Sequence, residues 1–146
     1  GLNKDAIEAG FANHGIEGDD PGNMNATLKL NKMIFYKYDP DTGSVKKQKT
    51  FQRGDDILVY VKANISNLTP AYNLIAKDIT LTANGEDVTG EIDGYLNYEE
   101  ALEGAHEYQV AYLASDTVTG KIKVKVKVRM GGTNTVKIKK GTFTIK

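Results

Sequence analysis

The sequence predicts an all-β fold of two antiparallel sheets packed face to face, and three observations carry that prediction. Lys121 to Met130 alternates five basic residues (Lys121, Lys123, Lys125, Lys127, Arg129) with five apolar ones (Ile122, Val124, Val126, Val128, Met130). Strand side chains alternate between faces, so this pattern sets one face in a core and the other in water. Ile57, Val59, Val61, Ala63 and Ile65 keep the same period of two. Turn chemistry then recurs at short intervals, in Asp39-Pro-Asp-Thr-Gly43, Arg53-Gly-Asp-Asp56, Asn84-Gly85 and Gly131-Gly132-Thr-Asn134, with no repeated strand–helix units between. Two packed sheets are the natural outcome.

Taken in order, residues 1–25 read as a leader or linker trailing from the domain, the other reading being a short helix over Lys4 to Ala12 that stacks Ile7 on Phe11 and stops at His14-Gly15. Residues 26–146 read as the sandwich. Thr27 to Tyr38 is a long strand with Leu28 and Leu30 on one face and a bend near Asn31-Lys32. Ser44 to Phe51 is polar and Lys-rich, which suits an exposed edge open to pairing with another copy. Ile57 to Ile65 is the central core strand, and Ile75 to Thr82 follows with Ile79 and Leu81 inward. Asn84-Gly85 marks a tight turn. Gly90 to Gly104 reads as an acidic loop with a helical turn at Tyr98 to Leu102, and His106 to Ala114 as a strand with Tyr108, Val110 and Tyr112 on one face. Lys121–Met130 pairs with Thr135–Lys140. A parity shift from Val136 and Ile138 to Phe143 and Ile145 predicts a bulge at Lys140-Gly141.

A chain of 146 residues with 26% charged residues fits one domain with a real core. Its apolar runs are too short for a transmembrane helix. The first residue is Gly rather than Met, which reads as a trimmed terminus and leaves room for a lost export signal. Without cysteine there is no disulfide or thiolate chemistry. Net charge is zero, yet residues 1–120 hold 10 basic and 19 acidic residues, and residues 121–146 hold 9 basic and no acidic ones. Such segregation bears on partners more than on fold.

Gly54 to Asn67, an alternating apolar strand that runs into an Asn and Ser/Asn loop, resembles a stretch of small secreted bacterial immunoglobulin-like domains. Ile79 to Val88 looks like their next hairpin, and Leu102-Glu-Gly104 before Tyr108-Gln-Val110 is similar to their late passage into a strand. The resemblance covers about Arg53 to Lys146. It implies an immunoglobulin-like antiparallel β-sandwich of about seven to nine strands, from a lipoprotein or cell-surface protein and without catalytic residues. The expected function is therefore a noncatalytic extracytoplasmic bacterial module for surface recognition or envelope structure, secreted or at the cell surface. Its partner would be another protein or a cell-envelope polymer.

Three groups of residues are candidates for binding. On one face of a strand, Lys121, Lys123, Lys125, Lys127 and Arg129 stand about 6.6–6.8 Å apart. Lys137 and Lys139 on the partner strand would widen the stripe into a polyanion-binding patch for teichoic acid, acidic glycan or nucleic acid. Nucleic acid fits least, because no aromatics interleave with the lysines to stack bases. The competing reading makes the lysines guards against edge pairing, or has the acid-rich 78–116 segment fold against them. Asp87, Glu91 and Asp93, with Gly90 and Gly94 beside them, form a Ca²⁺ candidate, though their spacing is not that of an EF-hand. Tyr95 and Tyr98 beside carboxylates are candidates for sugar binding.

Catalysis finds little. His14 and His106 are the only imidazoles, and neither stands by a nucleophile with an orienting third group. No zinc spacing, phosphate loop or dinucleotide fingerprint occurs, so neither an enzyme nor a cofactor is expected. A protease inhibitor on the same sandwich is the alternative. It would need loops Asn67–Asn73, Gly90–Gly104 and Ser115–Gly120 to protrude together at one pole.

Overall fold

The structure is a computed structural model that describes residue 22 and residues 24–70 and 72–146. The leader helix expected over Lys4 to Ala12 lies outside the described residues. Eleven strands follow in order: β1 (Thr27–Tyr38), β2 (Val45–Lys47), β3 (Thr50–Phe51), β4 (Asp56–Ser66), β5 (Asn73–Ala83), β6 (Glu86–Asp87), β7 (Asp93–Leu96), β8 (Tyr98–Glu100), β9 (Gly104–Ala114), β10 (Gly120–Met130) and β11 (Val136–Ile145). The first sheet runs β2-β1-β4-β9-β7, and the second runs β3-β11-β10-β5-β6 with β8 also on β5. All neighbours are antiparallel except β3, which lies parallel to β11. With β1, β4, β9 and β7 taken as strands A, B, E and D, and β5, β10 and β11 as C, F and G, this is the order of an immunoglobulin-like sandwich.

The two long alternating segments form the core. Ile57, Val59, Val61, Ala63 and Ile65 of β4 and Ile122, Val124, Val126, Val128 and Met130 of β10 are all buried. Between the sheets Phe143 of β11 meets Phe35 of β1 at 5.1 Å and Phe51 of β3 at 5.8 Å between ring centroids. Such offset aromatic pairs add to the area they bury.

Bulges set which face each strand offers. The bend expected near Asn31-Lys32 is a register shift between Leu30 and Lys32, and it keeps Leu28 and Phe35 both inward. A second shift, between Val59 and Tyr60, leaves Val110 as the extra residue of β9. Tyr108 and Val110 are buried, but so are Ala111 and Leu113, and Tyr112 swings to the outer face. The expected common face of Tyr108, Val110 and Tyr112 is therefore broken at the bulge.

Other expectations are corrected. Tyr98 to Leu102 is not helical: Tyr98–Glu100 is strand β8. Asn97 makes the corner between sheets, its N–H donating to the Val110 carbonyl at 2.8 Å and its carbonyl accepting from the Ala76 N–H at 3.2 Å. Ser44 to Phe51 divides between two sheets rather than forming one edge, as β2 pairs β1 and β3 pairs β11. Phe51 is fully buried.

No bulge occurs at Lys140-Gly141, because β10 and β11 stay in one register from Gly120↔Ile145 to Arg129↔Val136. Val136 and Ile138 accordingly face outward, 48% and 49% exposed. Gly141 is glycine for space: a Cβ there would stand 2.7 Å from Met33 Sδ and 3.1 Å from Met33 Cβ. Tyr108 closes the corner before β9, its hydroxyl accepting from the Leu102 N–H at 2.9 Å and donating to the Leu102 carbonyl at 3.2 Å.

Two predictions follow from this packing. Gly141→Ala destabilises the fold by about 1–3 kcal/mol, the usual cost of overpacking, and Met33→Ala in the same chain recovers part of that loss, as read by chemical denaturation. Tyr108→Phe lowers stability by about 1–2 kcal/mol for two lost hydrogen bonds in a half-dry corner, with the denaturant slope unchanged.

Candidate functional site

The outer faces of the two sheets carry different chemistry. Directly paired residues in antiparallel strands share a face, so the registers give the second sheet's outer rows. Thr142, Lys123, Thr82 and Asp87 form one row across β11, β10, β5 and β6. Lys140, Lys125 and Thr80 form the next, and Ile138, Lys127 and Asp78 the third. Lys123, Lys125 and Lys140 line a surface hollow of about 450 Å³ with Thr80, Thr82 and Thr142. The sequence-predicted stripe of Lys121, Lys123, Lys125, Lys127 and Arg129 is real, but its widening differs from expectation. Lys137 and Lys139 pair with Val128 and Val126 and so lie on the opposite face from the stripe. Lys140, which pairs with Lys125, takes their place. The acid-rich segment touches the stripe directly at Lys127, which pairs with Asp78, and reaches the Lys123 row one strand further out at Asp87, while threonines flank Lys123 and Lys125. The hydroxyls can donate to an anion without adding charge of their own.

The first sheet's outer face is aromatic. One row across all five strands reads Lys47, Tyr36, Leu58, Tyr112 and Tyr95. Tyr112 and Tyr95 stack at 5.3 Å with an interplanar angle of 22°. Tyr38 meets Tyr112 edge-on at 6.1 Å, and Tyr36 meets Tyr60 edge-on at 5.0 Å. Tyr38, Tyr60, Tyr95 and Tyr112 surround a cleft of about 350 Å³ together with Val45, Leu58 and Gln109. At its margins the Tyr36 hydroxyl donates to Glu107 Oε1 at 2.6 Å, and the Asp56 carboxylate acts on the Tyr112 phenol. The bond to Glu107 is the main cause that pushes the Tyr36 phenol up to about 12. Burial, followed by Asp56, does the same to Tyr112. Both stay protonated donors throughout the physiological range.

Tyr95 and Tyr98 do not act together: Tyr95 pairs with Tyr112 in the first sheet, and Tyr98 pairs with Ile75 in the second. Tyr95 stacks on Tyr112 and shares the cleft with two further tyrosines, Tyr38 and Tyr60. The sequence held a signal for two of them, since Tyr60 falls out of phase with the inward Ile57–Val59–Val61 series, and Tyr38 lies two residues from Tyr36. Gly94 supports Tyr95 by its lack of a side chain, since a Cβ there would collide with the Tyr112 carbonyl. It thus serves the close approach of β7 to β9.

Asp87, Glu91 and Asp93 do not converge. Asp87 Oδ1 accepts the Thr89 N–H at 2.9 Å, and its carboxyl is held below the usual range by hydrogen bonds from the Thr89 hydroxyl and then the Thr89 backbone. Glu91 sits in a 3-10 turn, and Asp93 pairs with Ala114. Among the described residues no three acids or histidines gather in a way that holds a metal ion. Of the three inhibitor loops, Asn67–Asn73 and the end of Gly90–Gly104 meet, and Ser115–Gly120 stands apart from them. Asn67 donates its N–H to Glu103 at one pole, whereas the Ser115 carbonyl accepts from Gly54 N–H at the other. Between them, Gly90 to Gly104 contains strands β7 and β8. His106 is exposed, with Nε2 2.9 Å from the Glu103 carbonyl oxygen.

No protein-family model matches the chain, and no curated protein matches it. The fold and its two outer faces therefore define it as an immunoglobulin-like β-sandwich.

Glu99 of β8 lies half-buried beside Gln109, whose backbone N–H it accepts. Burial raises its carboxyl above the ordinary value, and that hydrogen bond opposes the shift only in part. The folded state thus holds the proton more tightly than the unfolded chain, so stability falls as pH rises from the unfolded pKa through the folded one. Glu99→Gln should raise the melting temperature at pH 7 relative to the wild type. That advantage should shrink as pH falls through the raised folded pKa and be gone below about 4.3, the ordinary glutamate value, in thermal melts taken across pH.

Proposed function

We propose that the protein is a noncatalytic extracytoplasmic module of a bacterial envelope whose lysine–threonine face holds an anionic polymer. The observation that carries this reading is the row order of the second sheet. Lys123, Lys125 and Lys140 converge on one hollow with threonines as direct neighbours, while the acids stand at its margins, Asp78 beside Lys127 and Asp87 one strand beyond Thr82 in the Lys123 row. Cations close together on a rigid sheet sum their fields, and the neutral hydroxyls between them leave that field uncancelled. A stripe that serves only to prevent edge pairing would be expected on an edge strand. β10 instead lies in the interior of its sheet, paired on both sides. The location outside the cytoplasm and the bacterial source rest on the resemblance of Gly54–Asn67 and Ile79–Val88 to secreted immunoglobulin-like domains, and the strand order supports the same reading. The noncatalytic role rests on the sequence, where neither histidine stands by a nucleophile and orienting group.

The test compares two double variants of equal charge. Lys123→Ser with Lys125→Ser removes the hollow's cations, and Lys137→Ser with Lys139→Ser removes as many from the opposite face of the sheet. In titrations with teichoic acid and heparin at low salt, the first pair should weaken binding roughly thirtyfold, at about 1 kcal/mol for each basic residue beside an anionic surface. The second pair should leave most of the affinity. Wild-type binding should fade toward physiological salt, where the screening length is about 8 Å. Equal losses from both pairs would mean that total charge drives binding, and no binding at low salt would remove the reading.

A further inference from the structure

The tyrosine face of the first sheet lies on the other side of the core from the lysines, and we propose that its cleft is a binding site for a neutral oligosaccharide. Three features of the cleft define this ligand class. Its walls are ring faces and edges from Tyr38, Tyr60, Tyr95 and Tyr112, while its one fully buried aliphatic group is Leu58, 6% exposed. Aromatic faces pack against the C–H faces of a pyranose, and tyrosine hydroxyls and the Gln109 amide supply donors and acceptors for its hydroxyls. Among the described residues no lysine or arginine lines the cleft, and of the nearby carboxylates Glu107 accepts from the Tyr36 phenol and Asp56 acts on the Tyr112 phenol. An anionic ligand would meet those carboxylates with no cation among the lining residues to offset them.

The site is also ordered in advance. Tyr112 is fixed by its stack on Tyr95 and its edge contact with Tyr38, and Tyr60 is held by Tyr36. Rings immobilised before binding lose little rotamer freedom on meeting a ligand. Tyr95, at 43% exposure on the sheet's outermost strand, offers the most accessible ring. The row from Lys47 to Tyr95 spans four strand gaps, roughly 19 Å at the usual spacing, so the surface has the shape of a track rather than a single hole.

The experiment titrates the whole chain with cellohexaose, xylohexaose, mannohexaose, maltohexaose and chitohexaose, read by calorimetry and by tyrosine emission, which no tryptophan masks. At least one of these should bind saturably with little dependence on salt. Tyr95→Ala should weaken that binding about three- to tenfold, the worth of one aromatic contact, and Tyr95→Phe should lose less. Tyr38→Ala, on the opposite wall, should weaken it too and guards against a local effect of Tyr95→Ala on β7. Tyr98→Ala in the second sheet and Lys123→Ser with Lys125→Ser should leave it unchanged. The proposal is overturned if none of the five sugars binds, if binding survives both Tyr95→Ala and Tyr38→Ala, or if it follows the lysine variants instead.

Discussion

The packing of β10 against β4 is the constraint on which the remaining structure depends. Ile122, Val124, Val126, Val128 and Met130 face Ile57, Val59, Val61, Ala63 and Ile65 across a dry interior. Side-chain parity along a strand has a period of two, so a slip of one residue would bury five basic groups and expose five apolar ones. Burying even one unpaired ammonium costs far more than any alternative register could return. The fixed inner faces then determine both outer faces. Lysines and threonines emerge from one sheet, and tyrosines from the other, as the complements of a single core.

Bulges refine that rule locally. At Val110 an extra residue moves Tyr112 from the inner to the outer face without disturbing the burial of Ala111 and Leu113. Without that shift Tyr95 would have no ring to stack on, and the cleft would lose a wall. The register shift of β5 between Asp78 and Ala76 has a comparable effect in the second sheet. It ends the strict row pairing beside Lys127 and keeps Ile79, Ala76 and Leu74 all buried. Each face is thus the product of one long alternation and one interruption of it.

The sequence disclosed the alternations and concealed most of the interruptions. Lys121–Met130 and Ile57–Ile65 are legible because burial on one side imposes a chemical period. The bulge after Leu30 is legible because Asn31-Lys32 breaks that period with polar residues. At Val110 the inserted residue is itself apolar, so the run Val110-Ala111 leaves no mark in composition. Val136 and Ile138 mislead for a different reason. Among the described residues the first half of β11 has no strand on its outer edge, since β3 reaches only Thr144 and Ile145, and an edge strand can alternate with its apolar side in water. Gly141 was legible as exceptional but not for its cause, because Met33 approaches it from over a hundred residues away. The lysine stripe could be read from one strand. The tyrosine cleft could not, since it draws residues from β1, β4, β7 and β9.

The two faces can act without interfering because of where their charges lie. Packed sheets stand about 10 Å apart, a distance comparable with the screening length at moderate ionic strength. Exposed cations on the second sheet therefore exert little force on a neutral ligand over the first. The Tyr36 and Tyr112 phenols, held protonated by burial and by Glu107 and Asp56, add no charge of their own. Salt would consequently separate the two surfaces, since it would weaken an anionic ligand's hold on the lysines and leave a neutral ligand's stacking on the rings in place. One sandwich can in this way present an ionic surface and an aromatic one back to back, with the apolar core as the wall between them.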